Sequence, residues 1–249
     1  MNLQAYFDRI RYVGDVKPTL DTLTALHTAH TFNIPFENLD VYAGKRISLE
    51  PNAIFDKLVT RRRGGYCFEM NGLFAFVLRE LGFEVRQLLA RTAFGGTYSA
   101  KLHEVLAVDI GDKTYVADVG YGNYGIAAPL LLEIMTEQTQ FVDTYRFMSD
   151  SMLGFVLERK LNGAFIPMYA FSTESCVPDD FEVANHYTAT HPDSFFKLMR
   201  FATKPTPAGR VTLADSHLKI VSCGAAIERN IRKPEFRTLL HKLFGIEWA

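Results

Sequence analysis

Between Phe83 and Phe171 the chain carries strand-like segments one after another, with no helical stretch among them. Phe83–Arg91, His103–Ile110, Thr114–Val119, Thr144–Met148, Gly154–Leu161 and Ala164–Phe171 read as strands. Asn162-Gly163, between the last two, is a strong hairpin signal. Parallel strands need long crossovers, usually helical, so this run restricts the region to an antiparallel barrel or sandwich.

The texture differs on both sides. Up to Gly82 the chain reads mainly as helices. Leu20, Leu23, Leu26 and His30 recur at helical spacing after Pro18, and Pro51 suits the first position of a helix through Ile54, Phe55, Leu58 and Val59. Ile34–Asp40 between them reads as a polar and aromatic connection with no regular structure. Beyond Pro178 we expect a short helix over Asp180–Thr188 and strands around Phe195–Phe201, Arg210–Leu213 and His217–Val221. An amphipathic helix follows from Pro234, with Phe236, Leu239, Leu240, Leu243 and Phe244 on one face. The expectation is an α+β protein in three regions, 1–82, 83–178 and 179–249.

Composition narrows the function. A formal net charge of −1 gives no reason to expect nucleic acid or an acidic membrane as partner. Three cysteines, far apart, form neither a disulfide framework nor a zinc spacing, so we expect no metal and a reducing compartment. The first residues lack a basic segment followed by an apolar one, and no apolar run is long enough to span a bilayer. The reading is cytoplasmic.

Chemistry enters at Arg63-Gly64-Gly65-Tyr66-Cys67-Phe68-Glu69-Met70-Asn71. Two glycines free the backbone, and Leu73, Phe74, Phe76, Val77, Leu78 and Leu81 then recur at helical spacing until Gly82. Cys67 therefore falls in the first turn of a buried helix, where unpaired N–H groups favour a thiolate. Taken alone, it fits equally well as a small buried hydrophobe.

A nucleophilic cysteine needs a base, and the base an orienting group. If Gly111-Asp112 makes a two-residue type II′ turn, Ile110 pairs with Lys113, Val105 faces Asp118 and His103 faces Gly120. His103 and Asp118 then lie on one face as diagonal neighbours, and a slip of one residue would separate them. Singly each fits a local structural role. Together with Cys67 they make a nucleophile, a base and its orienter.

These residues resemble the arylamine N-acetyltransferase family. The resemblance rests on Arg63–Glu69, on Ile34-Pro35-Phe36-Glu37-Asn38-Leu39, on the His103 strand, on Val119-Gly120-Tyr121-Gly122 and on Thr190–Phe196. It implies an N-terminal helical bundle, a central antiparallel β-barrel and a C-terminal α/β lid around a papain-like or transglutaminase-like cysteine core. It implies a Cys67-His103-Asp118 triad, acetyl-CoA as donor through an acetyl-cysteine, and arylamines or hydrazines as acceptors. By the same resemblance Phe36, Tyr121 and Phe196 line the acceptor pocket, and Ser99, Ala100 and Gly122 lie near the coenzyme. Glu37 and Arg63 form an ion pair holding the cysteine loop. Met70 departs from the polar residue that bacterial members often carry there. Three other readings stay open: an amide synthase with another acyl donor, a thiol hydrolase or transglutaminase-like enzyme, and an inert binding module on the same fold.

Overall fold

The structure, a computed structural model, describes every residue except Asn123 and Ala249. Helices come first: α1 (Leu3–Ile10) and α2 (Leu20–Asn33). The side chains of Asn2 and Thr19 cap them by accepting from Ala5 N–H and Thr22 N–H. Phe36–Glu37 forms a two-residue strand, β1, where an irregular connection is expected. Short α3 (Leu39–Tyr42) follows, then α4 (Pro51–Phe55), which runs into one π-helical turn over Asp56–Thr60. Helix α5 spans Cys67–Glu80 and is buried on most of its surface. It stops at Gly82, whose φ of 84° lets the chain turn back so that Phe83 N–H bonds to Leu78 C=O.

Eight antiparallel strands then form one sheet. They are β2 (Glu84–Phe94), β3 (Thr97–Ile110), β4 (Lys113–Ala117), β5 (Leu130–Leu131), β6 (Gln138–Gln140), β7 (Asp143–Asp150), β8 (Gly154–Leu161) and β9 (Ala164–Phe171). Their spatial order is β5-β4-β3-β2-β9-β8-β7-β6. The end strands meet through a side chain: the Gln138 amide accepts from Leu131 N–H and donates to Leu131 C=O. The result is a nearly closed barrel. Val105, Ala107, Val116, Tyr145, Phe147 and Tyr169 fill its interior, while Leu106 and Val108 on the other face of β3 pack against α5. Strand β3 begins six residues before the expected His103, because Gly95 and Gly96, both at positive φ, close a hairpin with β2.

The rest of the chain is α6 (Pro178–Thr190), α7 (Phe195–Leu198), β10 (Phe201–Thr206), β11 (Gly209–Ala214), β12 (His217–Ser222), β13 (Ala225–Asn230) and α8 (Glu235–Phe244). Two expectations need correction. Phe195–Leu198 is a helical turn rather than a strand, and the strand starts only at Phe201. Strand β13 was not expected: all six of its residues are exposed, so no apolar alternation marks it. The second sheet runs β1-β10-β11-β12-β13, and the Phe236, Leu240 and Phe244 face of α8 packs on Ala202, Leu213 and Leu218. No helix among the described residues is long and apolar enough to cross a membrane.

Strand β1 also touches the loop before α5, where Glu37 N–H bonds to Gly65 C=O at 2.9 Å. A Cβ on Gly64 would run into the carbonyl oxygen of Pro35. Gly64→Ala should therefore destabilise the fold by about 2–3 kcal/mol by forcing two backbone segments apart. A shifted denaturant midpoint with an unchanged m-value would register it.

Candidate active site

The cysteine loop sits on a buried ionic network. Arg63 donates to Glu37 Oε1 from Nε (2.9 Å) and Nη2 (2.6 Å), and Nη2 lies 3.4 Å from Asp40. Lys57 Nζ bridges Asp40 (3.0 Å) and Glu69 (2.7 Å). Glu69 in turn accepts from Tyr66 N–H, and Glu37 from Leu39 N–H. Burial would raise the Asp40 carboxyl, but Lys57 and Arg63 hold it down to about 2. Arg61, by contrast, is exposed and pairs with Asp56.

Cys67 opens α5 as expected and is 3% exposed. Its surroundings correct one part of the electrostatic expectation. Burial pushes the thiol up, the carboxylates of Glu104 and Asp118 add to this, and the backbone N–H groups of Glu104 and Phe68 only partly offset it. Desolvation outweighs the helix end here. The Sγ atom lies 3.9 Å from the carbonyl oxygen of Leu102, the residue before His103.

The hairpin register is as derived. Ile110 pairs with Lys113, and Gly111 takes a φ of 62° while Asp112 does not take a positive one. The paired ladder ends at Leu106 and Ala117, so Asp118 continues along the same line just beyond it. Asp118 Oδ2 lies 2.7 Å from His103 Nε2, with both side chains buried. Its Oδ1 accepts from Asn71 Nδ2 and from Gly120 N–H, each at 2.9 Å. Burial would raise this carboxyl, and His103, Asn71 and Gly120 together hold it below its ordinary value. Asp118 is therefore an anion, and His103 Nε2 carries the proton between them, which leaves Nδ1 as the free ring nitrogen.

Several supporting residues have no assigned role in the sequence reading. Asn71, one helical turn after Cys67, also donates to Glu104 C=O at 2.6 Å and accepts from Val119 N–H at 2.9 Å. It ties the nucleophile's helix to both halves of the hairpin. The available signal was a polar side chain inside an apolar helix, which must find partners when buried. Asp118 N–H donates to His27 Nε2 at 3.0 Å, and burial holds His27 down to about 4, so it stays neutral and accepts. Tyr121 and Tyr169 pack on the His103 ring at centroid distances of 5.3 and 5.2 Å. Gly120 lies so close to α5 that a Cβ there would sit 2.9 Å from Cys67 Cα.

Beside this cluster is a cavity of about 510 Å³ with a mainly aromatic wall. Phe36, Tyr121 and Phe196 all line it, together with Tyr124, Met168 and Phe201. Phe36 stacks on Phe201, and Phe196 stands edge-on to Tyr66, the residue before Cys67. A smaller hollow of about 170 Å³ shares Tyr124 and Thr212 with it and is lined by Arg210, His217 and Lys219. Ser99 turns back on its own hairpin and bonds to Thr92, and Ala100 is exposed next to it. Gly122 packs under Phe36, and its carbonyl accepts from Arg210. Among the described residues no group of three or more His, Cys, Asp or Glu is placed to hold a metal.

Comparison with known proteins gives a consistent answer. A family model described as N-acetyltransferase matches residues 19–249. The arylamine N-acetyltransferase of Mycobacterium tuberculosis is 40% identical, covering 100% of this chain and 90% of that protein. The arylamine N-acetyltransferase / N-hydroxyarylamine O-acetyltransferase of Salmonella typhimurium is 36% identical over 98% of this chain and 88% of its own. The solved Mycobacterium marinum arylamine N-acetyltransferase in complex with CoA superposes with a TM-score of 0.93 at 37% identity, covering 98% of this chain and 93% of that one.

Proposed function

The chain belongs to the arylamine N-acetyltransferase family, a family of acyltransferase enzymes, and on that footing we propose that it moves an acetyl group from acetyl-CoA to an arylamine or hydrazine nitrogen through an acetyl-Cys67 intermediate. The observation that carries the reading is the His103–Asp118 pair, joined through Asn71 to the cysteine helix one turn beyond Cys67.

The steps follow from these side chains. In this site a lone thiolate is unfavourable, so the proton leaving Cys67 stays close by on His103 Nδ1 and forms an ion pair. The sulfur attacks the thioester carbon of acetyl-CoA, and the tetrahedral intermediate expels the coenzyme thiolate, which takes the proton back from His103. The neutral amine then attacks acetyl-Cys67. His103 accepts the amine proton and returns it to the departing cysteine sulfur. Asp118 stabilises the imidazolium in both halves. Exchange of one thioester for another is nearly balanced, so a thiol suits the first step better than a hydroxyl.

The aromatic cavity is the acceptor site in this reading, with Phe36, Tyr121 and Phe196 against the ring. The adjoining hollow with Arg210, His217 and Lys219 takes the coenzyme's phosphates. Gly122, whose carbonyl Arg210 holds, and Ser99 and Ala100 on the β2–β3 hairpin lie along the pantetheine path in this reading.

Brief mixing with acetyl-CoA in the absence of acceptor, followed by intact-protein mass measurement, tests the proposal. One added acetyl group, discharged by an arylamine or hydrazine, is expected. An unmodified protein whose thiol still reacts with alkylating agents would overturn the donor assignment and turn attention to larger acyl donors. Rapid loss of the adduct to water alone would favour the hydrolase. Asp118→Asn should lower kcat on the order of 10²-fold, since the amide no longer stabilises the imidazolium. A matching loss in the pH-rate profile's dependence on His103 would check it.

A further inference from the structure

The basic run Arg61-Arg62-Arg63 divides three ways. Arg61 pairs at the surface and Arg63 enters the buried network, as described above. Arg62, with a left-handed φ of 52°, lines a separate hollow of about 400 Å³. This hollow lies where the C-terminal ends of α1, α2 and α8 meet, and Arg9, Arg11, Arg62, Lys204, His241 and Lys242 line it.

Cations at helix C-termini have an ordinary structural use, and Arg9 serves it: its guanidinium donates to the carbonyls of Leu58, Asn33, Arg62 and Arg63. That use has a limit. Three helix ends supply roughly 1.5 negative charges in all, whereas five arginines and lysines line the hollow before His241 is considered. Among the described residues no carboxylate lines it. None of the six basic residues makes a salt bridge among the described residues. The like charges act on each other. Burial, then Arg62 and Arg11, brings Arg9 down to about 10. Burial, then Arg9 and Arg11, lowers half-buried Lys204.

We propose that this hollow binds a polyphosphate anion, two or more linked phosphates, at a site separate from the acetyl-transfer centre. The excess of roughly three positive charges over the helix ends calls for a multiply charged ligand. Arginine forks suit phosphate oxygens, and the volume is in the range of small-molecule sites. Separation follows from strand geometry. Thr203 lines the acceptor cavity, and Lys204, next along β10, points to the opposite face.

Calorimetric titration with inorganic pyrophosphate at fixed ionic strength, paired with thermal unfolding, tests this. Wild type should show one saturable site and gain about 5 °C or more in Tm at a hundredfold excess over Kd. Lys204→Gln and Arg62→Gln should each weaken Kd at least tenfold, and Lys219→Gln, in the hollow assigned to the coenzyme, should leave it unchanged. Unliganded Lys204→Gln should be no less stable than wild type, because it relieves repulsion. Arg62→Gln, at an exposed position, carries the test on its own if the lysine variant misfolds. The proposal fails if sodium chloride at matched ionic strength stabilises equally. It fails too if Lys204→Gln and Arg62→Gln both keep full affinity, or if only Lys219→Gln loses it.

Discussion

Replacing Cys67 with alanine should lower kcat/KM for acetyl transfer by about 10⁴-fold or more and abolish the acetyl adduct, while the protein still folds. The two halves of this expectation have separate causes. The other groups of the cluster are poorer acyl carriers: an acyl group on His103 Nδ1 would remove the base, and burial pushes the Tyr169 hydroxyl well above its ordinary value. The fold survives because the thiol does little structural work. Its polar contacts are weak, a 3.9 Å approach to Leu102 C=O and the nearby backbone N–H groups of Glu104 and Phe68, and losing one small buried group costs about 1 kcal/mol. Steady-state kinetics beside a thermal melt measures both. Substantial residual turnover in a homogeneous preparation would show that the sulfur is not the acyl carrier.

The largest stability effect is expected at Arg63. Arg63→Ala leaves Glu37 beneath the cysteine loop, 1% exposed and with its Oε1 stripped of both Arg63 donors, while Asp40 keeps Lys57. Breaking a buried pair from one side costs about 3–5 kcal/mol, largely through the stranded charge. A double variant, Glu37→Gln with Arg63→Met, should recover a good part of that loss, because it removes the charge and the unmet demand together. Denaturant melts of Glu37→Gln, Arg63→Met and the double variant provide the cycle. Purely additive losses would show that the two side chains do not depend on each other.

What could be read from the sequence was what local chemistry decides. The glycines before Cys67 and after Leu81 bound a helix of one possible length, and Asn162-Gly163 adopts positive φ at both residues, as a type I′ hairpin requires. Strands β8 and β9 therefore match their expected limits, and the Gly111 turn fixed the register that brings His103 and Asp118 together. Features settled at long range were hidden. Strand β1 is a strand only because β10 lies beside it, and two residues have no periodicity to read. Phe195–Leu198 is apolar and aromatic enough for a strand, yet Asn38 draws the carbonyls of Phe196 and Met199 towards one amide and leaves them a helical turn. The roles of Asn71 and His27 depend on partners 47 and 91 positions away.

That same pairing sets a schedule for the nascent chain. Phe36 and Glu37 are matched with Thr203 and Ala202, about 165 residues later. At roughly 5–20 residues per second, a ribosome needs on the order of ten seconds or more to supply the partner strand. During that interval the barrel can close, since its own pairings lie within residues 84–171. Strand β1 can already meet Gly65, but its other edge stays unpaired until Ala202 and Thr203 arrive. Synthesis thus leaves the edge of the segment behind the cysteine loop open until most of the polypeptide exists, and the second sheet is the last layer to form around it.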